Sequence, residues 1–372
     1  MRKNSLHRLA AVILALGWSA QLHAQGVPGS VIVPGDDDRT TRVGTRGANF
    51  LHIPIGARAN GMAGSTVASV DGPTALFWNP ANIATREELS IALSYMRLFG
   101  NSGISDIAGA ITVPVGQGAI GLSVQQYSSG EIQRTTERAP QGNDPVFPGT
   151  FEWTGTAAGV HYARNVTDRL TAAVGARFVQ EGIDFAHNNY FGFDVSTRFH
   201  TGLYGLTVAA SIMNMGSTGQ FSGPAVERAI IQPRYNGQPT GRDVPIVYNT
   251  RDVQMPTSFN FGLMSRLYGD AEAILGQNPD HSLTAEVAFR DAIDTDLQTS
   301  IGVEYGFRQN YFARVGKKWF NEQHSPWEFQ DGFAFGGGLR VPFLGRRMTI
   351  DYGYVIMGEL QNNQVLTFDI GN

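Results

Sequence analysis

The stretch LTAAVGARF, residues 170–178, carries the pattern that decides the fold. Val174 and Phe178 fall on one set of alternate positions, and Thr171 and Arg177 fall on the other. Successive side chains of a β-strand point to opposite faces of its sheet. The stretch therefore predicts a strand with one apolar face and one face of small, polar or charged side chains.

The same alternation recurs along most of the chain. About fourteen such segments are present, and they start near residues 88, 104, 117, 150, 169, 190, 204, 256, 281, 297, 310, 332, 347 and 364. A tilted strand needs roughly 9–11 residues to cross a bilayer, which is the length of these segments. The pattern predicts an all-β protein, with a transmembrane antiparallel β-barrel of about fourteen strands over residues 88–372. A soluble sheet with one polar face is the alternative.

The lengths of the connections favour the barrel. The longest are all odd-numbered connections, so they fall at one end of the barrel: residues 128–149, 181–189, 215–255 and 320–331. Transmembrane barrels have short periplasmic turns and longer extracellular loops. We therefore expect the end with the long loops to be extracellular. One even-numbered connection, residues 268–280, is longer than this rule predicts.

The N-terminus has the build of a secretory signal peptide. Basic residues in the first eight positions are followed by the apolar run 9–16 and by small residues. This pattern predicts a signal peptide over residues 1–24 and, for a barrel, export to the outer membrane. Residues 25–46 are rich in Gly, Pro and charged residues, which is typical of a flexible leader. We expect this leader to lie in the periplasm.

The composition argues against nucleic-acid binding and fits a membrane barrel. Charged residues make up 16% of the chain and the net charge is −4, whereas charged residues average about a quarter of a soluble domain. No basic patch with interleaved aromatic residues is present, so nucleic acid is not expected as a partner. The chain has no cysteine, and a large barrel closed by backbone hydrogen bonds needs none. The partner that its apolar face requires is outer-membrane lipid.

Residues 47–87 precede the first strand and are predicted to form an N-terminal plug. A barrel of about fourteen strands is wider than its own side chains can fill. The portion GARANGMAGSTVAS (56–69) is small and nearly uncharged, so its backbone can pack close to a barrel wall. A periplasmic cap outside the barrel is the alternative.

The stretch GPTALFWNPANIA (72–84) is predicted to seat this plug. Pro73 favours a short helix because proline is tolerated in a first helical turn. Phe77 and Trp78 are large apolar anchors. Pro80 disfavours the helical conformation at the preceding residue, so we expect the helix to stop there.

A resemblance to a known family is carried by residues 47–84, GANFLHIPIGARANGMAGSTVASVDGPTALFWNPANIA. They resemble the N-terminal signature of the PorV/PorQ family, which belongs to the fourteen-stranded barrel superfamily of the fatty-acid transporter FadL. The plug-motif residues that carry the resemblance are Pro54, Gly56, Arg58, Gly61, Met62, Asp71, Trp78, Asn79 and Pro80. The sequence departs from the pattern where no further Gly follows Met62, and Phe368 lies four residues before the end instead of a terminal aromatic residue.

The resemblance implies a role in protein secretion. Its best-known members are outer-membrane barrels of the type IX secretion system. They bind a giant translocon barrel of the SprA/Sov type, collect secreted cargo by its C-terminal signal domain, and carry that cargo to the surface attachment complex. The alternative is a FadL-like outer-membrane transporter of hydrophobic small molecules. A structural member of the family without a secretion role is a third possibility.

A secretion partner is expected to bind the extracellular loops. Apolar and aromatic residues in these loops are candidates for partner binding: Phe221, Ile230, Ile231, Tyr235, Tyr248, Trp327 and Phe329. Exposed apolar groups on loops often mark interaction surfaces. Packing of these side chains on each other, as a lid over the barrel, is the alternative.

No catalytic constellation is present, so we do not expect an enzyme. The histidines lack metal-ligand spacing, and neither a nucleophile elbow nor a phosphate-binding loop occurs. No metal or cofactor is therefore expected. The stretch FGGGLR (335–340) is interpreted as a strand that the plug approaches closely. Charged residues on the polar face are expected to pair across the lumen or with the plug: Arg177, Asp194, Arg198, Glu286, Arg290, Glu304, Arg308, Arg340 and Asp351.

Overall fold

The computed structural model describes residues 44–146, 148–230, 234–235, 238–239, 244–295, 297–320 and 330–371. The predicted signal peptide (1–24) and all but the last residues of the predicted leader (25–46) lie outside the described residues.

Fourteen antiparallel strands close into a barrel. They are β1 (Ser90–Arg97), β2 (Ser105–Val115), β3 (Gly118–Ser128), β4 (Trp153–Asn165), β5 (Leu170–Ile183), β6 (Ala186–His200), β7 (Leu206–Gly216), β8 (Ser258–Tyr268), β9 (His281–Ala292), β10 (Gln298–Phe307), β11 (Tyr311–Phe320), β12 (Phe333–Phe343), β13 (Arg346–Ile356) and β14 (Asn362–Gly371). Each strand pairs with its neighbours in sequence, and β1 closes the barrel on β14, with Ile91 opposite Ile370. The predicted fold class and strand number are confirmed.

The period-two pattern places apolar side chains on the outside of the wall. In β1, Leu93 and Tyr95 are exposed, while Ser94 and Met96 are buried. In β5, Phe178 is exposed while the polar face points into the lumen. An exposed apolar belt around a closed single-layer barrel is the architecture of a transmembrane barrel, not of a soluble sandwich.

The connections differ in length at the two ends of the barrel. Turns 116–117, 166–169, 201–205, 308–310 and 344–345 are short, and the connection 269–280 is longer. We call this the turn end. The connections 129–152 and 217–257 lie at the other end, which we call the loop end. The assignment of the loop end to the extracellular side stays a prediction.

The loop-end connections contain paired short strands of their own. Ile132–Gln133 pairs with Thr150–Phe151, and Thr218–Gly219 pairs with Val253–Gln254. Two further pairs extend the connection 217–257: Glu227–Ile230 with Val244–Val247, and Arg234–Tyr235 with Gln238–Pro239. Short 3₁₀-helices lie at Pro224–Val226 and Gly358–Leu360.

The predicted loop at residues 181–189 is wrong. β5 and β6 remain paired up to Ile183 and Ala186, so only a two-residue turn joins them. Polar side chains of this stretch face the lumen and bond to Tyr190: the Tyr190 hydroxyl donates to Glu181, and Asn188 Nδ2 donates to the Tyr190 oxygen at 2.6 Å. Residues 181–189 therefore continue β5 and β6, and their polar side chains Glu181 and Asn188 belong to the lumen-facing side of these strands.

Residues 44–89, which we call the inner segment, precede β1 and contact inward-facing residues of the wall. They form a 3₁₀-helix at Asn49–His52, helix α1 at Ala57–Gly61, and two further 3₁₀-helices at Pro73–Phe77 and Pro80–Thr85. Among the residues that the structure describes, no helix is long and apolar enough to cross a membrane.

The helix predicted to begin at Pro73 is present, but Asn79 and Pro80 do not simply stop it. Asn79 is extended, as expected for a residue before proline, and its side-chain oxygen accepts a hydrogen bond from Ala81 N. Proline in a first turn and a capping side chain start a new helix. A second 3₁₀-helix therefore follows directly.

Candidate functional site

Glycines let the backbone of the inner segment reach the wall. A Cβ atom on Gly61 would lie 2.8 Å from the Gly336 Cα atom. A Cβ atom on Gly316 would lie 2.4 Å from the Met62 carbonyl carbon. Such contacts leave no space for a side chain on either partner. The interpretation of FGGGLR (335–340) as a site of close approach is confirmed at Gly336.

Carboxylates of the wall bind backbone amides of the inner segment. The Glu286 carboxylate accepts hydrogen bonds from Ala68 N at 2.6 Å and Ser69 N at 2.9 Å. The Glu181 carboxylate accepts one from Ala48 N at 2.8 Å. Both glutamates are buried. These contacts hold the backbone of the inner segment at two separate places.

Arg58 joins the inner segment to a chain of charges on the wall. Its guanidinium binds Glu304 through two bonds of 2.8 and 2.9 Å and donates to Ser69 O at 2.7 Å. Arg314 connects Glu304 to Asp351 with two contacts of 2.6 Å. Burial acts to lower the pKa of Arg58, but the Glu304 carboxylate outweighs it and raises that pKa above its usual range. Arg58 therefore remains charged.

A second charged group lies at the turn end. Arg86 binds the Asp369 carboxylate at 2.7 and 3.0 Å and approaches Asp71 at 3.4 Å. A cavity of about 120 Å³ lies among these side chains and Arg58, Arg314 and Arg340. Charged side chains thus line the lumen between the inner segment and the turn end.

A recess with a mixed apolar and polar lining lies on the other side of the inner segment, toward the loop end. Its apolar lining consists of Leu51, Ile53, Pro54, Ile55, Phe77, Trp78 and Met213. Polar side chains of five strands complete it: Gln125, Arg177, Asn214, Ser258, Asn260 and Arg290. The recess has a volume of about 20 Å³, which is space for about one water molecule.

The wall beside the recess is irregular. The pairing of β6 with β7 shifts register between Phe193 and Val195. Asp194 lies within this bulge, and its carboxylate accepts bonds from Asn214 N at 2.7 Å and Arg177 Nη2 at 3.0 Å. His161 Nε2 lies 2.7 Å from the same carboxylate. A buried polar group thus replaces ladder hydrogen bonds at this point.

His52, in the inner segment, connects Arg290, which lines the recess, to Asp294 in the connection after β9. Its Nδ1 atom lies 2.8 Å from Arg290 Nη2, and its Nε2 atom lies 2.9 Å from Asp294 Oδ1. Arg290 Nη1 also donates to the His52 carbonyl at 3.1 Å. Nδ1 is therefore the acceptor nitrogen and Nε2 carries the proton, which is the neutral form of the ring.

The residues of the predicted plug motif all lie in the inner segment and make internal contacts. Trp78 is buried and its Nε1 donates to Ile55 O at 2.8 Å. Asn79 Nδ2 donates to Thr197 O on the wall at 3.1 Å. Met62 and Pro80 are buried, and Gly56 has a positive φ of 95°. Whether this segment seals the lumen stays a prediction.

The predicted partner-binding residues that the structure describes are not among the residues that line the recess. Tyr248 is exposed at the loop end, and Phe221 is half-buried, with its carbonyl bound by Thr250. Ile230 and Tyr235 belong to short paired strands. The remaining residues of this set, Ile231, Trp327 and Phe329, lie outside the described residues.

The prediction of inward charges is wrong at Arg308. β10 ends at Phe307, and Arg308 lies in the following turn with a positive φ of 51°. There it pairs with Asp280 at 3.2 Å, and both side chains are exposed. The alternation of inward and outward side chains ends with the strand, so the Arg308 side chain in the turn is not directed into the lumen. Arg177, Asp194, Glu286, Arg290, Glu304 and Asp351 do make the expected lumen contacts.

The chain matches no protein-family model and no curated protein. It is similar to solved structures of outer-membrane transporters. The Pseudomonas putida toluene transporter TodX aligns with a TM-score of 0.51 at 11% identity, over 89% of this chain and 98% of its own. The Ralstonia pickettii toluene transporter TbuX aligns with a TM-score of 0.50 at 13% identity, over 85% and 98% of the two chains.

The CymD monoaromatic hydrocarbon channel aligns equally well, with a TM-score of 0.51 at 10% identity, over 85% of this chain and 96% of its own. Identities this low carry information about the fold alone. These similarities do not show that the chain belongs to the PorV/PorQ branch. The predicted closed barrel of fourteen antiparallel strands is thus confirmed, and the chain shares the fold of these transporters and channels.

Proposed function

We propose that this protein is a FadL-like outer-membrane transporter of hydrophobic small molecules. The observation that carries the proposal is the recess on the loop-end side of the inner segment, where apolar residues of that segment meet polar side chains of the wall. Ligand sites combine apolar residues with a small number of placed polar groups. The names of the similar structures, toluene transporters and a monoaromatic hydrocarbon channel, support the same class of cargo.

The route favoured by the geometry leads sideways through the wall. Met213 and Asn214 line the recess and adjoin the bulge between β6 and β7. Straight passage toward the turn end would bring an apolar molecule among Arg58, Arg86 and their carboxylate partners. Displacing a buried ion pair leaves uncompensated charge, which costs several kcal/mol. A lateral exit at the bulge passes one such group, Asp194 with Arg177 and His161, instead of the several groups toward the turn end.

Uptake of radiolabelled toluene by cells that produce the protein tests the proposal. We expect Ile53→Trp to reduce uptake strongly because Ile53 lines the recess and is half-buried. The matched control is Ile91→Trp, on the lipid-facing side of β1, where Ile91 is exposed. Equal uptake by both variants and the parent protein, or no uptake above cells that lack the protein, would reject the proposal.

Type IX secretion is the second candidate, and the loop end favours it. Val247 and Tyr248 are exposed on the paired ribbons of the connection 217–257. Arg58, Trp78 and Asn79, which carry the resemblance to PorV/PorQ, make internal contacts and therefore bear on the fold.

Affinity purification from gently solubilised outer membrane, followed by mass spectrometry, separates the two candidates. A giant barrel subunit, or secreted proteins that share a C-terminal domain, would favour secretion, and deletion of residues 222–250 is then expected to release them. A lone barrel with a stoichiometric hydrophobic molecule would favour transport.

A further inference from the structure

The outward face of four neighbouring strands changes from apolar to polar at one register. Three successive rows of paired residues on β3, β4, β5 and β6 show the change. The rows are Val124, Ala158, Phe178 and Phe191, then Gln126, Thr156, Gln180 and Asn189, then Ser128, Thr154, Gly182 and His187. The lipid-facing surface of a transmembrane barrel is an apolar band. These four strands therefore continue past the band at the loop end, with a polar face toward the outside.

An open groove of about 560 Å³ lies on this polar extension. Thr154, Thr156, Gln180 and His187 of the outward rows line it, together with Phe185 in the turn between β5 and β6. Small-molecule sites have volumes of about 300–1,000 Å³. The groove is therefore large enough to hold a ligand, and it lies outside the lumen.

Contacts between the connection 129–152 and the turn between β5 and β6 shape the groove. Arg134 donates to the two oxygens of the Asp184 carboxylate at 3.0 and 2.7 Å. Asp184 N donates to Glu152 O at 3.3 Å, and His187 and Ser222 exchange two backbone hydrogen bonds of 2.9 Å. The protein alone thus builds the groove, and Arg134 compensates the charge of Asp184.

The lining has the chemistry of a site for an uncharged sugar. A sugar ring has a face of C–H groups that packs on an aromatic ring, and the hydroxyl groups at its edge donate and accept hydrogen bonds. Phe185 is 64% exposed and offers the aromatic ring. Thr156, Gln180 and His187 are exposed and offer donors and acceptors to the hydroxyl groups.

The charge of the groove argues against a phosphate or a carboxylate as its ligand. Glu152 and Asp184 line it, and within the described part of the chain its lining contains no Lys or Arg. The guanidinium of Arg134 is already bound to Asp184. An anion in the groove would be repelled by Glu152 without a cation of the lining to balance it.

The position of the groove indicates where the sugar comes from. The row with Phe178 and Phe191 lies one step of two residues from the row with Gln180, which is about 7 Å along a strand. A lipid whose acyl chains lie on Phe178 and Phe191 therefore has its head group beside the groove. A free sugar makes no such second contact.

We propose that this groove binds the uncharged sugar head group of a glycolipid, while the acyl chains of that lipid lie on Phe178 and Phe191. The lipid belongs to the leaflet at the loop end, which is predicted to be the outer one. The site is outside the lumen and goes beyond the proposed transport function. A lipid held in this way would keep β4, β5 and β6 at a fixed depth in the bilayer.

The test is native mass spectrometry of the full-length barrel in tetraethylene glycol monooctyl ether, a detergent without sugar. The probes are monoglucosyl diacylglycerol, phosphatidylglycerol and diacylglycerol with identical acyl chains, and free glucose. Titration gives a dissociation constant for each probe. We expect the glucosyl lipid to bind about two- to tenfold more tightly than the other two lipids, the effect of one aromatic contact. Free glucose should bind most weakly.

Two variants remove single parts of the site. Phe185→Ala removes the aromatic ring and should abolish the preference for the glucosyl lipid. Thr156→Val keeps the shape of the side chain, removes its hydroxyl group and should reduce the preference. Phe191→Ala is the matched control, since Phe191 is a 62% exposed aromatic residue of the apolar row. It should weaken the binding of all three lipids alike, so that the preference persists.

Equal affinities of the parent protein for the three lipids would overturn the inference, and so would tighter binding of phosphatidylglycerol. Free glucose that binds as tightly as the glucosyl lipid would reject a lipid as the source of the sugar. An unchanged preference in both Phe185→Ala and Thr156→Val would place the head group elsewhere. The comparison of probes on the parent protein holds even if a variant does not fold.

Discussion

At the scale of single residues, Glu286 shows how the wall holds the inner segment. Its buried carboxylate accepts two backbone N–H groups, Ala68 N at 2.6 Å and Ser69 N at 2.9 Å. A neutral side chain at this place cannot replace both bonds, because one of its two terminal atoms would be a donor.

We therefore expect Glu286→Gln to destabilise the barrel by about 1–3 kcal/mol, the cost of an unsatisfied buried donor. The measurement is urea unfolding in detergent micelles, followed by tryptophan fluorescence. Glu88→Gln is the control, since Glu88 is exposed and its substitution should change nothing. Identical unfolding midpoints for the two variants would contradict the assigned role of Glu286.

His52 makes the floor of the recess sensitive to pH. Burial, followed by the neighbouring Arg290 guanidinium, lowers the pKa of His52 against the opposing effect of Asp294. A depressed pKa in the folded state means that the neutral ring contributes its stability above the unfolded pKa of about 6.5. This contribution is lost as the pH falls below that value. A protonated ring would also face Arg290 with a second N–H donor.

We expect amide hydrogen exchange in the stretch around His52 to accelerate when the pH is lowered from 7.5 to 5.5, after correction for intrinsic exchange. His52→Gln should abolish this additional acceleration. His187→Gln, at an exposed position, should leave it unchanged. Protection that is independent of pH in the parent protein would show that the ring does not control the floor.

At the scale of elements, the wall beside the recess is irregular at the bulge between β6 and β7. A disulfide across it, made by Phe193→Cys with Met215→Cys, would fix the two strands at the shift of register. The chain has no native cysteine to interfere. If molecules leave between these strands, the cross-link should stop uptake of toluene and a reducing agent should restore it.

The control for this experiment is a cross-link elsewhere on the same pair of strands. Thr197 and Ala210 are opposite each other, nearer to the turn end. Thr197→Cys with Ala210→Cys should allow uptake in the oxidised form. Uptake that continues with the bulge cross-linked would exclude an exit at this point and would favour passage through the lumen.

The sequence predicts most of the strands because period-two alternation reports directly on the two faces of the wall. It does not reveal which polar residues are partners. Residues 181–189 are predicted as a loop, because the bonds that Glu181 and Asn188 make to Tyr190 form only after β5 and β6 pair. The sequence does not reveal the recess either, because Leu51, Trp78 and Met213 are far apart in the chain and come together only in the closed barrel.

At the scale of the whole molecule, the inner segment has unlike surroundings on its two sides. Toward the loop end, apolar residues and polar side chains of five strands line the recess, and toward the turn end ion pairs surround a cavity. The inner segment is bonded to two separate strands of the wall, through Glu181 on β5 and Glu286 on β9. This arrangement is suited to a fixed partition rather than to a freely moving one.

A fixed partition makes a prediction for electrical conductance. The side chains of a wall of fourteen strands do not fill its lumen, so removal of residues 47–87 should leave a wide aqueous pore. We expect large, steady conductance from this deletion in planar lipid bilayers and little conductance from the parent protein. Deletion of the predicted leader residues 25–43 is the control and should remain closed.

A second variant separates loss of the partition from damage to the barrel. Arg58→Gln combined with Arg86→Gln keeps the inner segment but removes its ion pairs with Glu304 and Asp369. Since the backbone bonds to Glu181 and Glu286 remain, this variant should open only intermittently. Equal, low conductance in all variants would mean that the wall closes on itself, and the inner segment would then serve the recess alone.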